Sequence, residues 1–118
     1  MLAASGLAVG SAPSEGRRTA ILTYVLLVDW TAQGVQAVEQ TVERLVQGSQ
    51  MGETFGCKVE HVWWTQGGHD MVSVITAPDD QAMVAYTLAL VRLGNLRTTT
   101  LRAWSIDEMR EIIARLPT

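Results

Sequence analysis

"CKVEHVWWTQGGHDMVSVITA", residues 57–77, is the stretch whose reading decides the fold. Cys57 to Thr65 and Asp70 to Ala77 are short runs rich in β-branched and aromatic residues, the composition of strands. Gln66-Gly67-Gly68-His69 joins them, and its glycines supply the positive φ that a tight connection needs. The two strands are therefore antiparallel neighbours, and every other element is placed relative to them.

Toward the N-terminus, "AILTYVLLVDW" (20–30) has no proline or glycine and is apolar at nearly every position, the pattern of a strand buried on both faces. Thr31 is placed to cap a helix. Val35, Val38, Val42, Leu45 and Val46 then recur at three- and four-residue spacing among Gln36, Glu39, Glu43 and Arg44. The spacing predicts one smooth amphipathic helix that frays near Gly52 to Gly56. Toward the C-terminus, Pro78 and Asp79-Asp80 open a second helix and Gly94 marks its end. Its body, "AMVAYTLALV" (82–91), is apolar almost all round, more than covering one sheet face requires, so a further surface is expected to cover it. "NLRTTTLRAW" (95–104) reads as a Thr-rich fourth strand. Ser105-Ile106-Asp107-Glu108 is a capping box that opens a terminal helix carrying Ile106, Met109, Ile112, Ile113 and Leu116.

Composition bounds the function classes. A chain of 118 residues, 47% hydrophobic, is one ordinary globular domain. Its net charge of −3, with Lys58 as its single lysine, argues against a nucleic-acid surface. The lone cysteine, Cys57, has no internal disulfide partner and reads as a small buried hydrophobe. Residues 1–18 are small, Gly- and Ser-rich and without periodicity, so they are expected to form a disordered tail ahead of a domain at 19–118. A secretory signal is the sharper alternative for that segment, but it lacks a basic start and Ser5 and Gly6 interrupt its apolar run. No stretch has the length of a membrane span, and a cytoplasmic, membrane-free protein is the expectation.

The element order βαββαβ plus a terminal helix is the ferredoxin-like α+β plan: a four-stranded antiparallel sheet with helices on one face, the other face left open. The chain also resembles the GYD-domain family, small bacterial proteins named for a Gly-Tyr-Asp turn between the second and third strands. The likeness runs through Trp30-Thr31-Ala32-Gln33-Gly34, Trp64-Thr65 with Gly68-His69-Asp70, Ala77-Pro78-Asp79-Asp80, and the run from Leu93 to Ala103. Together these cover the chain from about Thr19 onward. The resemblance implies a subunit of the dimeric α/β-barrel kind and no established reaction. Two departures stand out. His69 replaces the tyrosine of the motif, and the first helix lacks the proline-containing break the family often shows.

With strand order 4-1-3-2, the ends of strands one and two meet the starts of strands three and four at one edge. Asp29, Trp30, Trp64, His69, Asp70, Asn95 and Arg97 are thereby expected to gather there, beside the helix start at Thr31-Gln33-Gly34, whose backbone N–H groups suit a carboxylate or phosphate. Each has a plainer reading. Gly67 and Gly68 serve the turn, and a histidine in a hairpin is more often a surface residue than an acid/base group. Asp70 is most simply a turn-closing acceptor or a partner for Arg97. The tryptophans are more often core or interface, the threonines ordinary strand formers, and His61 a plain strand residue.

Stronger chemistry is absent from the sequence. It has no Gly-rich phosphate loop, no zinc-spaced Cys/His cluster and no nucleophile elbow, so no metal or cofactor is expected. The favoured reading is a small-molecule-binding or structural and regulatory homo-oligomer. The alternative is a cofactor-independent enzyme in which His69, oriented by Asp70, moves a proton on a small substrate held near Trp64 and anchored by Arg97. Self-association follows from the open sheet face. It must carry either Ile21, Thr23, Val25 and Leu27 or Leu22, Tyr24, Leu26 and Val28, and both sets are too apolar for water.

Overall fold

A computed structural model describes residues 21–118; the expected tail at 1–18 lies outside the described residues. Strands Leu22–Trp30 (β1), Lys58–Trp64 (β2), Met71–Ala77 (β3) and Leu96–Ala103 (β4) form one antiparallel sheet in the order β2-β3-β1-β4, as the topology argument expects. Helices Ala32–Gln36 (α1), Thr41–Thr54 (α2), Asp80–Val91 (α3) and Ile106–Ile113 (α4) complete the chain. The fold is the ferredoxin-like α+β arrangement.

Strand alternation decides which face the helices cover. Tyr24, Leu26 and Val28 of β1 are buried with Met71, Ile75 and Ala77 of β3 and with Met83 and Tyr86 of α3. Cross-strand partners share a face, so Val25 with Val74 and Leu101, and Leu27 with Val72 and Thr99, line the opposite, open side. β1 is thus sandwiched between a true core and a half-buried apolar face, which explains why it reads as hydrophobic at almost every position.

The first helix is not the smooth run its spacing predicts. It breaks at Ala37, whose φ of −123° and ψ of 41° leave the helical region, and a 3₁₀ turn at Val38–Gln40 intervenes before α2. No proline is involved. Gly34 fixes α1 instead: a Cβ there would lie 2.2 Å from the Asn95 carbonyl oxygen, so α1 is pressed against the start of β4 while α2 must cross the sheet. Arg44 spans the break by donating to the Gly34 carbonyl at 3.3 Å. The end of α2 at Thr54 does fall within the expected Gly52-to-Gly56 stretch, and Gly48 and Gly52 are its buried residues. Those glycines form the groove that receives Tyr86, whose hydroxyl donates to the Gly48 carbonyl at 2.7 Å. Burial pushes that phenol up to about 12. Val42 and Val46, which the periodicity assigned to the inner stripe, are half exposed.

Other local expectations hold. The Thr31 side chain accepts from Gly34 N at 3.1 Å, Asp79 caps α3 through Ala82 N, and Gly94 ends that segment at φ 89°. Gly67, at φ 108°, supplies the left-handed residue of the hairpin. Cys57 is buried, and that burial raises its thiol above the usual range. No helix among the described residues is long and apolar enough to cross a membrane.

Candidate functional site

The β2–β3 turn delivers His69 to the end of β1. Its Nδ1 stands 3.2 Å from both carboxylate oxygens of Asp29. An ionised carboxylate only accepts, so Nδ1–H is the donor and Nε2 is left as the ring's remaining proton site. The side chains are 39% and 25% exposed, so the pair sits at the surface yet is held in place. Arg97 is the cross-strand partner of Asp29 on β4 and lies on the same face. Asp29 therefore has an imidazole on its carboxylate and an arginine as its cross-strand neighbour.

Asp70 has a different task. Its carboxylate accepts from the Trp30 backbone N–H at 2.9 Å, its own N–H donates to the Val28 carbonyl at 3.0 Å, and its carbonyl accepts from Thr65 N at 2.8 Å. It latches the hairpin onto the end of β1 and does not orient His69; Asp29 does. Asn95 is likewise occupied: its backbone carbonyl accepts from Thr31 N and its side-chain oxygen from Gln33 Nε2, both at 3.0 Å. The α1 start is taken up by its own Thr31 cap and is only five residues long, so it offers no anion site of consequence.

Parity separates the tryptophans. Trp30 pairs with Leu96 and Trp64 with Met71, on the helix-covered side, where Trp64 Nε1 donates to Thr41 Oγ1 at 3.1 Å. Trp63, not singled out from the sequence for this face, pairs with Val72 on the open side and stacks on His61 with ring centroids 5.4 Å apart. Its position two residues beyond His61 is the signal that places both there. The structure thus gathers Asp29, His69 and Arg97 on the open face, next to Leu27, Val72 and Thr99. Trp30 and Trp64 face away, and Asp70 and Asn95 hold backbone.

The pair has the first two parts of an acid/base relay, a ring and the carboxylate that orients it. A nucleophile is not supplied by Cys57, which is buried at the other end of β2. The interior cavity between α2 and the sheet measures about 70 Å³, far below the size of a small-molecule pocket. That interior space is therefore no ligand site.

The model of the GYD domain matches residues 24–113. The chain belongs to the GYD-domain family. This GYD-domain protein is also 28% identical, over 95 residues, to the glutamine synthetase and cystathionine beta-lyase binding protein of Thermus thermophilus; the alignment spans 80% of this chain and 97% of that protein. That relative is described as a binding protein for two enzymes. In the present GYD domain the motif reads Gly68-His69-Asp70, and its last residue is the latch while its middle residue is the one turned to Asp29.

Proposed function

We propose that this GYD-domain protein is a non-catalytic, homo-oligomeric binding protein that closes its open sheet face against a second copy and binds other proteins. The observation that carries the reading is the sheet face: Val25, Leu27, Val72, Val74, Leu101 and Trp63 make an apolar band across all four strands. Contiguous apolar surface of that extent favours association, and two such sheets packed face to face at ~10 Å give the dimeric α/β barrel. The relative's description supports the protein-binding half. Val42 and Val46 on α2, with Val84 and Leu88 on α3, stay exposed on the helix layer, the side a sheet-to-sheet dimer leaves free.

Sedimentation equilibrium at micromolar concentration should give a dimer mass, and Val74→Asp should give a folded monomer. A wild-type monomer under those conditions rejects the reading. Interferometry against purified glutamine synthetase and cystathionine β-lyase of the source organism should show binding to at least one. Binding to neither removes them as partners.

The His69–Asp29 geometry favours one second reading, a small-molecule site working by proton transfer or by pH-dependent binding. A thermal-shift ligand screen across about pH 5.5–8, where imidazole changes charge, compares wild type, His69→Asn and Arg97→Lys. Responses that differ between the proteins support a site; identical responses from all three dismiss it.

A further inference from the structure

α4 is built the wrong way round for a helix resting on its own domain. Ser105 and Glu108 close a reciprocal capping box, with Glu108 N donating to Ser105 Oγ at 3.1 Å and Ser105 N to Glu108 Oε1 at 2.7 Å. The helix is thus well started, yet it is only eight residues long, and helices of that length are marginal in water without packing. Its apolar stripe of Ile106, Met109, Ile112, Ile113 and Leu116 is 36% to 73% exposed. Glu108 is the least exposed residue of the helix. Glu108, Glu111, Arg115 and, from the stripe, Ile112 face the protein's own Leu22, Arg102 and Trp104 across a cleft of about 480 Å³. Apart from Ile112, the apolar side points out while Glu108 and Glu111 point in, the reverse of a surface helix.

We infer that α4 is an arm that docks its apolar stripe on the second copy of this chain. The inference rests on the dimer proposed above and says what completes it. Four strands at ~4.8 Å spacing and seven residues at ~3.3 Å rise give the open face about 450 Å² in projection. A stable interface buries roughly 800 Å² of accessible surface per partner, and a face of this footprint, with Val25, Leu27, Val72 and Val74 already half covered by their neighbours, is small for one. The α4 stripe, with each large aliphatic side chain carrying on the order of 100 Å² of apolar surface and about half of it uncovered, adds roughly 250 Å². Sheet face and arm together approach the requirement. α4 also grows directly from β4, the edge strand that contributes Leu101 and Ala103 to the open face. A copy seated on the sheet therefore lies beside the root of the arm.

The test measures the dimer dissociation constant by sedimentation for full-length wild type, for Ile106→Lys/Ile113→Lys and for Val74→Asp. Hydrogen exchange of wild-type amides 106–116 is measured above and below that constant. Lysine is at least as good a helix former as isoleucine, so the paired substitution spares α4 while removing its apolar contact. The expected results are a dissociation constant raised about 30-fold or more, from losing two buried aliphatic anchors, and α4 protection that appears only in the dimer. An unchanged constant, or α4 amides that exchange alike at both concentrations, overturns the arm while leaving the sheet-face dimer standing. If Val74→Asp dimerises as wild type does but the α4 variant does not, the sheet reading fails and the arm survives. Should the lysine variant fail to fold, the exchange comparison on wild type decides alone.

Discussion

Gly52→Ala sets two principles against each other inside one helix. Alanine is favoured over glycine in a helix interior by about 0.8–1 kcal/mol, so propensity alone makes the change stabilising. The structure says otherwise. A Cβ at Gly52 would stand 2.8 Å from Tyr86 Cζ and 3.0 Å from its Cε2 and Oη. Tyr86 has no room to withdraw: it is 2% exposed, stacks on Phe55 and donates to the Gly48 carbonyl. Overpacking of this kind costs about 1–3 kcal/mol, and displacing the ring forfeits a hydrogen bond worth about 0.5–1.5 kcal/mol. Net of propensity, Gly52→Ala should destabilise by about 1–3 kcal/mol. Gly48→Ala is the control, because its Cβ meets only Leu90 Cδ2, the mobile end of a flexible side chain, at 3.3 Å. There propensity should win, leaving stability unchanged or up to about 1 kcal/mol higher. Urea denaturation at one fixed protein concentration measures both, since self-association would otherwise shift the midpoints. A Gly52→Ala protein as stable as wild type would refute this packing of α2 on α3.

Three further outcomes rest on the same contacts. Asp70→Ala should cost about 1–2 kcal/mol by stripping the Trp30 N–H of a charged acceptor, with Asp70→Asn keeping most of it, whereas His69→Ala should cost under about 1 kcal/mol because its contact with Asp29 is at the surface; equal losses at the two positions in urea melts would contradict the division of labour. His69→Tyr, which restores the family's motif, should fold within about 0.5 kcal/mol of wild type, and a larger change in the same melts would tie residue 69 into the fold. Burial raises the Tyr86 phenol to about 12, so the folded state holds its proton more tightly than the unfolded chain. That stability is complete below the unfolded value near 10 and disappears as pH rises toward 12, a contribution of about 2–3 kcal/mol that Tyr86→Phe should remove, leaving the part of the alkaline fall due to Tyr24, whose phenol burial also raises to about 12.

The sheet was legible because its signals are local and of period two. The Gly67 turn, the caps at Thr31, Asp79 and Ser105, and the strand order all follow from spacing and chain connectivity. The packing of α2 was not. Its valines mark a stripe by hydrophobicity, but Gly48 and Gly52 make the closer approach, and close approach comes from absent side chains that a periodicity count cannot see. The break at Ala37 was hidden for a related reason, since it is imposed by the contact of Gly34 with Asn95, far away along the chain. At the site, convergence at one sheet end was legible but the partner of His69 was not. Asp70 is adjacent in sequence, and adjacency suggested the pair. Alternation would have pointed to Asp29 instead, because it lies two residues beyond Leu27 and therefore on the same open face.

The motif turn divides its work between fold and surface. Gly67 supplies the left-handed backbone and Asp70 is tied to Trp30, Val28 and Thr65, so a change at either disturbs strand pairing. Residue 69 carries none of that: its backbone carbonyl accepts from Thr65 Oγ1, a bond any residue could offer, while its side chain is engaged only with Asp29. Exchanging tyrosine for histidine at this position therefore leaves the hairpin intact and alters what the open face presents. A phenol offers a donor on a long lever; the imidazole held by Asp29 offers a second nitrogen close to the surface. With the sheet face covered by a second copy, that nitrogen and Arg97 would stand at the rim of the interface, where polar groups tune partner choice more than they add affinity. Histidine in place of the motif's tyrosine thus falls at a side chain the hairpin does not use, so any effect of it would be on what the open face meets.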